Sequence, residues 1–254
     1  MNSKNNKGFT LVELLVVIGI LGILSAALFP AITGAMLRAN MASVAARGKD
    51  IYVAIIGANT EREPLGLGNV WPKTEKTTDD TEDINGIGYS SSSDYFEKLY
   101  DGKNAGTDKH SPFVTGFDYS KLAGAGVPAS STAGGELKAD NNMWTIAANI
   151  RDEMEDIIPI LITRNVDCST LYANLTTVPP STEKITFKTM SPFSNKGFVM
   201  VRKGGGTFSN QAKYSTIRVI YNSQTFKTTV EGDSGGATKL DLTYLSPDKA
   251  EKPK

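Results

Sequence analysis

The chain has one cysteine and one histidine, so it is poor in the side chains that most often bind transition metals or move protons. A lone Cys168 excludes an internal disulfide and any cysteine-based zinc cluster, and its expected place is that of a small buried apolar residue. His110 lies in the polar stretch Asp108-Lys109-His110-Ser111-Pro112 with no partner nearby for a metal site or a general-base dyad. It reads as a surface loop residue. An excess of positive charge is also missing. The 27 basic residues balance 27 acidic ones, which speaks against a nucleic-acid backbone binder, since such proteins concentrate cations. No internal repeat is present.

Apolar residues make up 40 % of the 254, enough for a real core in one ordinary domain plus an extension, or in two small domains. Their distribution is uneven. Residues 1–8 (MNSKNNKG) are polar, with two lysines and no acid, and Phe9 to Phe29 (FTLVELLVVIGILGILSAALF) is almost wholly apolar. At ~1.5 Å per residue this run is about 30 Å long as a helix, the thickness of a bilayer's hydrocarbon core. Lysines before it and a large polar remainder after it predict the short end inside and the bulk outside. A secretory signal would have a shorter apolar run followed by a small-x-small cleavage site. A plain uncleaved anchor is the other alternative. Neither accounts for Glu13, a carboxylate five residues into the run, which by default marks a functional site whose partner has to be named.

The order Gly8-Phe9-Thr10-Leu11-Val12-Glu13, continued by Leu14, Leu15, Val16, Val17 and Ile18, resembles the type IV pilins and type II secretion pseudopilins. That family has a basic leader ending in glycine, cut before a phenylalanine, with glutamate fifth in the mature chain. The resemblance implies that a prepilin peptidase cuts between Gly8 and Phe9, that the new amine of Phe9 is methylated, and that Glu13 of an incoming subunit pairs with that amine on a neighbour. It further implies self-assembly with other pilins or pseudopilins, contact with lipid and an inner-membrane assembly platform, and no nucleic acid. The location implied is the cytoplasmic membrane, with the amino terminus cytoplasmic and the carboxy-terminal domain periplasmic. Without residues 1–8 the chain has 25 basic against 27 acidic residues. Opposite charges attract strongly in a low-dielectric core, and one left alone there is costly, so assembly would relieve the free subunit. Pro30 adds to the match, because pilins often have a proline at this depth, where it kinks or locally melts the helix. Gly19 and Gly22 thin the same helix.

Beyond Pro30, Gly34, Leu37, Met41, Val44, Gly48, Ile51, Ile55 and Ala58 recur at spacings of three and four, a narrow apolar stripe on one face. The helix should end between Asn59 and Pro64. Residues 65–140 look irregular, apart from a short helix over Asp94–Tyr100 stopped by Gly102 and a loop over Lys121–Gly135. A second amphipathic helix is expected from about Asn141 to Asp156, with Met143, Ile146, Ala147, Ile150, Met154 and Ile157 on one side. Strands are expected at Ile160–Thr163, Gly197–Arg202 and Ile217–Tyr221, with Gly204-Gly205-Gly206 between the last two. The class is therefore α+β: a long amino-terminal helix, membrane-spanning in its first half, packed on a small antiparallel sheet in a pilin-like roll. The segments read as a leader (1–8), a membrane or filament-core helix (9–29), its amphipathic continuation (30–60), a globular domain (61–245) and a disordered tail (246–254).

Two motifs point elsewhere. Gly232-Asp233-Ser234-Gly235-Gly236 has the letters around the nucleophile of trypsin-like proteases, and a membrane-tethered serine hydrolase would need His110 as its base. A glycine-rich acidic turn explains the same letters, and no enzyme activity is expected. The acidic Thr78–Asp83 (TDDTED) fails the EF-hand pattern, because Thr81 stands where its first acid belongs. The major pseudopilins that the chain resembles bind calcium through a carboxy-terminal loop. That resemblance makes Asp233 and Asp241 the candidate calcium ligands, with no specific motif at either. The reading is a pseudopilin of a type II secretion pseudopilus. The alternative is a type IV pilus subunit for adhesion, motility or DNA uptake, and the missing cysteine pair favours the pseudopilin.

Overall fold

A computed structural model describes residues 10–75, 84, 88–100, 102–103, 110–111, 117–130, 137–226 and 242–253. It contains two compact units, Met1–Asn40 and Met41–Lys254. Helix α1, Leu11–Arg62, runs through both. In the first unit it is the only element among the described residues, and every residue from Leu11 to Thr33 is exposed. The helix continues unbroken through Pro30, and Thr33 Oγ1 donates to the Pro30 carbonyl at 2.9 Å. Of the kink or local melting expected at Pro30, the melting does not occur, since the residues on both sides stay helical.

In the second unit α1 is buried along the expected stripe, at Met41, Val44, Gly48, Ile51, Ala54, Ile55 and Ala58. It ends at Arg62 in a 3-10 turn over Glu63–Leu65, with Pro64 inside that turn and Gly66 in the left-handed conformation that closes it (φ 70°). Then come α2 (Ser92–Tyr100), the two-residue pair β1 (Gly102–Lys103) and β2 (His110–Ser111), and β3 (Trp144–Ala148), β4 (Pro159–Thr163), β5 (Gly197–Arg202) and β6 (Thr207–Gln211). A one-turn helix α3 (Ile217–Ile220), β7 (Thr243–Leu245) and β8 (Ala250–Glu251) complete the fold. Six strands form one antiparallel sheet in the order β6-β5-β4-β3-β7-β8. The architecture is α+β, with the carboxy-terminal part of α1 packed on this sheet.

The contact between helix and sheet turns on Gly48. A Cβ there would stand 2.6 Å from Trp144 Cη2 and 3.0 Å from Val201 Cγ2, so only glycine lets the helix backbone come this close. Polar bonds flank the contact: Lys49 Nζ to Gly205 O at 2.7 Å, Tyr52 Oη to Lys203 O at 2.9 Å, and Arg47 to the carbonyls of Ser120 and Ala123. Because side chains alternate along β5, Val199 and Val201 face α1 while Phe198 points the other way, against Phe187 and Phe208. With both faces covered, β3, β4 and β7 are buried throughout.

Three expectations are corrected. Asn141–Asp156 is not a helix: its core is β3, a central strand whose two faces both bury apolar residues, so its sequence loses the two-residue alternation and imitates a helical period. Ile217–Tyr221 is not a strand. Thr216 caps a helical turn, its Oγ1 accepting from Val219 N, and the turn buries Ile217, Ile220 and Tyr221. The tail is ordered from Ser246 into β8, because Glu251 turns inward onto Lys188, Cys168 N–H (3.1 Å) and Ser246 Oγ (3.2 Å). By contrast α2, β4 and β5 stand where the pattern predicts them.

Candidate functional site

The first turn of α1 shows why the helix starts where it does. Thr10 stands just before the first helical residue and Glu13 three positions on, the spacing of a capping box. Glu13 Oε2 accepts from Thr10 N–H at 2.9 Å and from Thr10 Oγ1 at 2.8 Å, and Thr10 Oγ1 accepts in turn from Glu13 N–H at 3.3 Å. The carboxylate thus satisfies the Thr10 N–H and the Thr10 hydroxyl satisfies the Glu13 N–H, two backbone donors that the helix start would otherwise leave open, and Glu13 places negative charge at the positive end of the helix dipole. Both bonds to Glu13 fall on Oε2. Oε1 has no partner among the described residues.

This capped turn opens a helix whose first part is apolar on every side. An 18-residue window within it has a mean hydropathy of 2.6 and no buried share, so by length and composition the helix can cross a membrane. Leu11, Leu14, Leu15, Ile18, Leu21 and Ile23 are among the large side chains it exposes. In water such a surface would be a severe liability, and in a bilayer or a bundle of like helices it is the binding surface.

Of the residues singled out in the sequence, Glu13 and Pro30 are placed in α1. Gly8, Phe9, Thr78–Asp83, Asp233, Ser234 and Asp241 lie outside the described residues. The backbone of His110 belongs to β2. Cys168 is fully buried, and that burial, with the Glu251 carboxylate beside it, pushes its thiol well above the ordinary range. Among the described residues no group of three or more His, Cys, Asp or Glu side chains is arranged to hold a metal ion. The sequence reading missed Thr10, although the signal was present: threonine followed by glutamate three positions later, at the head of an apolar run.

A carboxylate caps the first turn of a membrane-capable helix whose distal part packs on an antiparallel sheet, an arrangement in keeping with a type IV pilin-like protein. Residues 3–29 match the family model of the prokaryotic N-terminal methylation motif, so the chain carries the prepilin-type amino terminus of that family. The motif implies processing by a prepilin peptidase and pilin-like filament assembly in general. The match covers that segment alone; no curated protein and no solved structure matches the chain.

Proposed function

We propose that the chain is a structural subunit, not an enzyme, of a type II secretion pseudopilus, assembled from the cytoplasmic membrane through its amino-terminal helix. The observation that carries this reading is Glu13: one acid in the apolar, exposed first part of the helix, with Oε2 used by Thr10 and Oε1 without a partner among the described residues. After cleavage between Gly8 and Phe9, the amine of Phe9 on a neighbouring subunit is the cation that Oε1 takes. The pairing neutralises two charges where no water can solvate them, and this makes insertion into the growing filament favourable. Pro30 and the apolar collar around it remain in the filament core. The type IV pilus is the alternative within the same class. The missing cysteine pair favours the pseudopilus, because no disulfide can close a carboxy-terminal loop here.

The test is the amino-terminal sequence and intact mass of membrane-extracted protein, taken together with assembly of a Glu13→Ala variant. The expected result is a chain beginning at methylated Phe9, and a variant that is processed and inserted but does not enter filaments. A chain beginning at Met1, or cut after Ala26 or Ala27, refutes the processing. Normal filaments from the variant refute the role of Glu13.

A further inference from the structure

The edge of the sheet at β6 is built unlike the other edge. Natural sheets guard exposed edges with charge, proline, bulges or short strands. At the far edge β8 is only two residues long and its Glu251 is buried. Strand β6, TFSNQ, has five residues, no charge and no proline. It stays in unbroken register with β5, from Gly197↔Gln211 to Val201↔Thr207, with no bulge. Nothing in it discourages another strand.

The hydrogen-bond pattern shows which groups are open. Arg202 N–H donates to Gly206 O at 2.9 Å and Ala212 N–H to Lys196 O at 3.0 Å. By alternation, Met200–Phe208 and Phe198–Asn210 are then the bonded pairs, and the backbone groups of Thr207, Ser209 and Gln211 face away from β5. Gln211 is closed by side chains: its N–H donates to Asn210 Oδ1 at 2.9 Å, and its carbonyl accepts from Ser215 Oγ at 2.9 Å. Thr207 and Ser209 are exposed, and their outward N–H and C=O groups have no partner among the described residues. Two residues spaced by two, each offering a donor and an acceptor, are what one added strand reads.

Charge selects the occupant. From Lys184 to Val230 the sequence has eight basic residues and no aspartate or glutamate, although the whole chain is neutral. Four of the eight bracket the edge: Lys196 and Lys213 at one end, Arg202 and Lys203 at the other. Lys203 is met by the Asp156 carboxylate at 3.7 Å. Lys196 and Lys213, with the charge of Arg202, whose half-buried guanidinium also donates to Ile220 O at 2.7 Å and lies over the Phe208 ring, set the field around Thr207 and Ser209. Nucleic acid would answer the charge alone, with no use for the open backbone groups. A polypeptide answers both.

We propose that β6 takes up an extended, acidic segment of a partner polypeptide as an added strand, with Thr207 and Ser209 supplying the backbone bonds and Lys196, Lys213 and Arg202 the charge selection. The edge geometry carries this inference, which stands independently of how the amino-terminal helix assembles.

The test uses the full chain in detergent micelles and a fluorescein-labelled eight-residue peptide of alternating glutamate and threonine, followed by anisotropy. Saturable binding is expected, with the lysine–threonine counterpart and a single-stranded oligonucleotide at least about tenfold weaker. N-methylating alternate peptide bonds of the probe should cost about tenfold or more, because each lost backbone bond removes one contact of the ladder. Ser209→Pro should cost the same without moving the unfolding temperature, since the donor it removes is unused in the fold. The proposal is overturned by any of three results: no binding at about 1 mM probe, an N-methylated probe that binds as well as its parent, or an oligonucleotide that binds more tightly than the acidic peptide. The methylated probe decides the matter on the unsubstituted protein even where Ser209→Pro fails to fold.

Discussion

Replacing Gly48 with alanine tests the packing of α1 on the sheet most sharply. A methyl at this position would lie 2.6 Å from Trp144 Cη2 and 3.0 Å from Val201 Cγ2, against an ordinary carbon–carbon contact of about 3.5–4.0 Å. Either the helix or the indole must move by about 1 Å. Trp144 is fully buried and its Nε1 donates to Lys121 O at 3.1 Å, so the ring has little room to yield. Overpacking of this kind costs about 1–3 kcal/mol. Against it stands the gain of about 1 kcal/mol from replacing a helical glycine by alanine. The expected net is a loss of up to about 2 kcal/mol, or up to roughly 8 °C in unfolding temperature for a domain of this size. Gly57 is the internal control: it lies in the same helix, is exposed, and would meet nothing within 4 Å. Gly57→Ala should therefore raise stability by up to about 1 kcal/mol. Thermal unfolding of the two variants in detergent, followed by near-ultraviolet circular dichroism, gives opposite signs if the reasoning holds. Two shifts of the same sign would refute it.

The remaining predictions concern the second unit. Cys168, buried and held protonated, should fail to react with a disulfide reagent at pH 8 in the folded chain and react at once on unfolding, which a colorimetric thiol assay reads directly. Tyr95 and Tyr244 donate from buried hydroxyls to Val70 O at 2.9 Å and Pro159 O at 3.2 Å, and burial pushes both phenols upward. Because the folded value lies above the unfolded value of about 10, their contribution is whole below pH 10 and declines as pH rises further. Unfolding temperature should therefore drop progressively above pH 10, and less steeply in Tyr95→Phe. Glu251→Ala would leave the Lys188 ammonium, the Cys168 N–H and the Ser246 hydroxyl without their carboxylate. The expected cost is about 2–3 kcal/mol, discounted because Lys188 keeps some access to water, with early hydrogen exchange at β8 as the readout.

Much of this protein was legible in the residue order. The apolar run with its single acid, the threonine three places before that acid, the three–four stripe of α1, and the stop at Pro64 are local signals that a helix imposes along the chain itself. They point to a membrane-capable helix with a prepilin-type start. The central strand was not legible in this way. β3 is covered on both faces, so Met143, Ile146, Ala147 and Ile150 show a helical spacing that the sheet overrides by pairing Ile146 with β4 and β7 and Ala147 with β7. Nor was the tail, whose charged letters suggest disorder until Lys188, distant in sequence, supplies the buried Glu251 with a partner. The open groups of β6 follow from register, which exists only once two strands are paired. What the sequence by itself determined is what neighbouring residues settle among themselves: where the long helix starts, which face it buries and where it ends. Only the tertiary structure decided which residues share a strand, which glycine brings helix and sheet together and which edge stays open, because each depends on contacts between residues far apart in the chain.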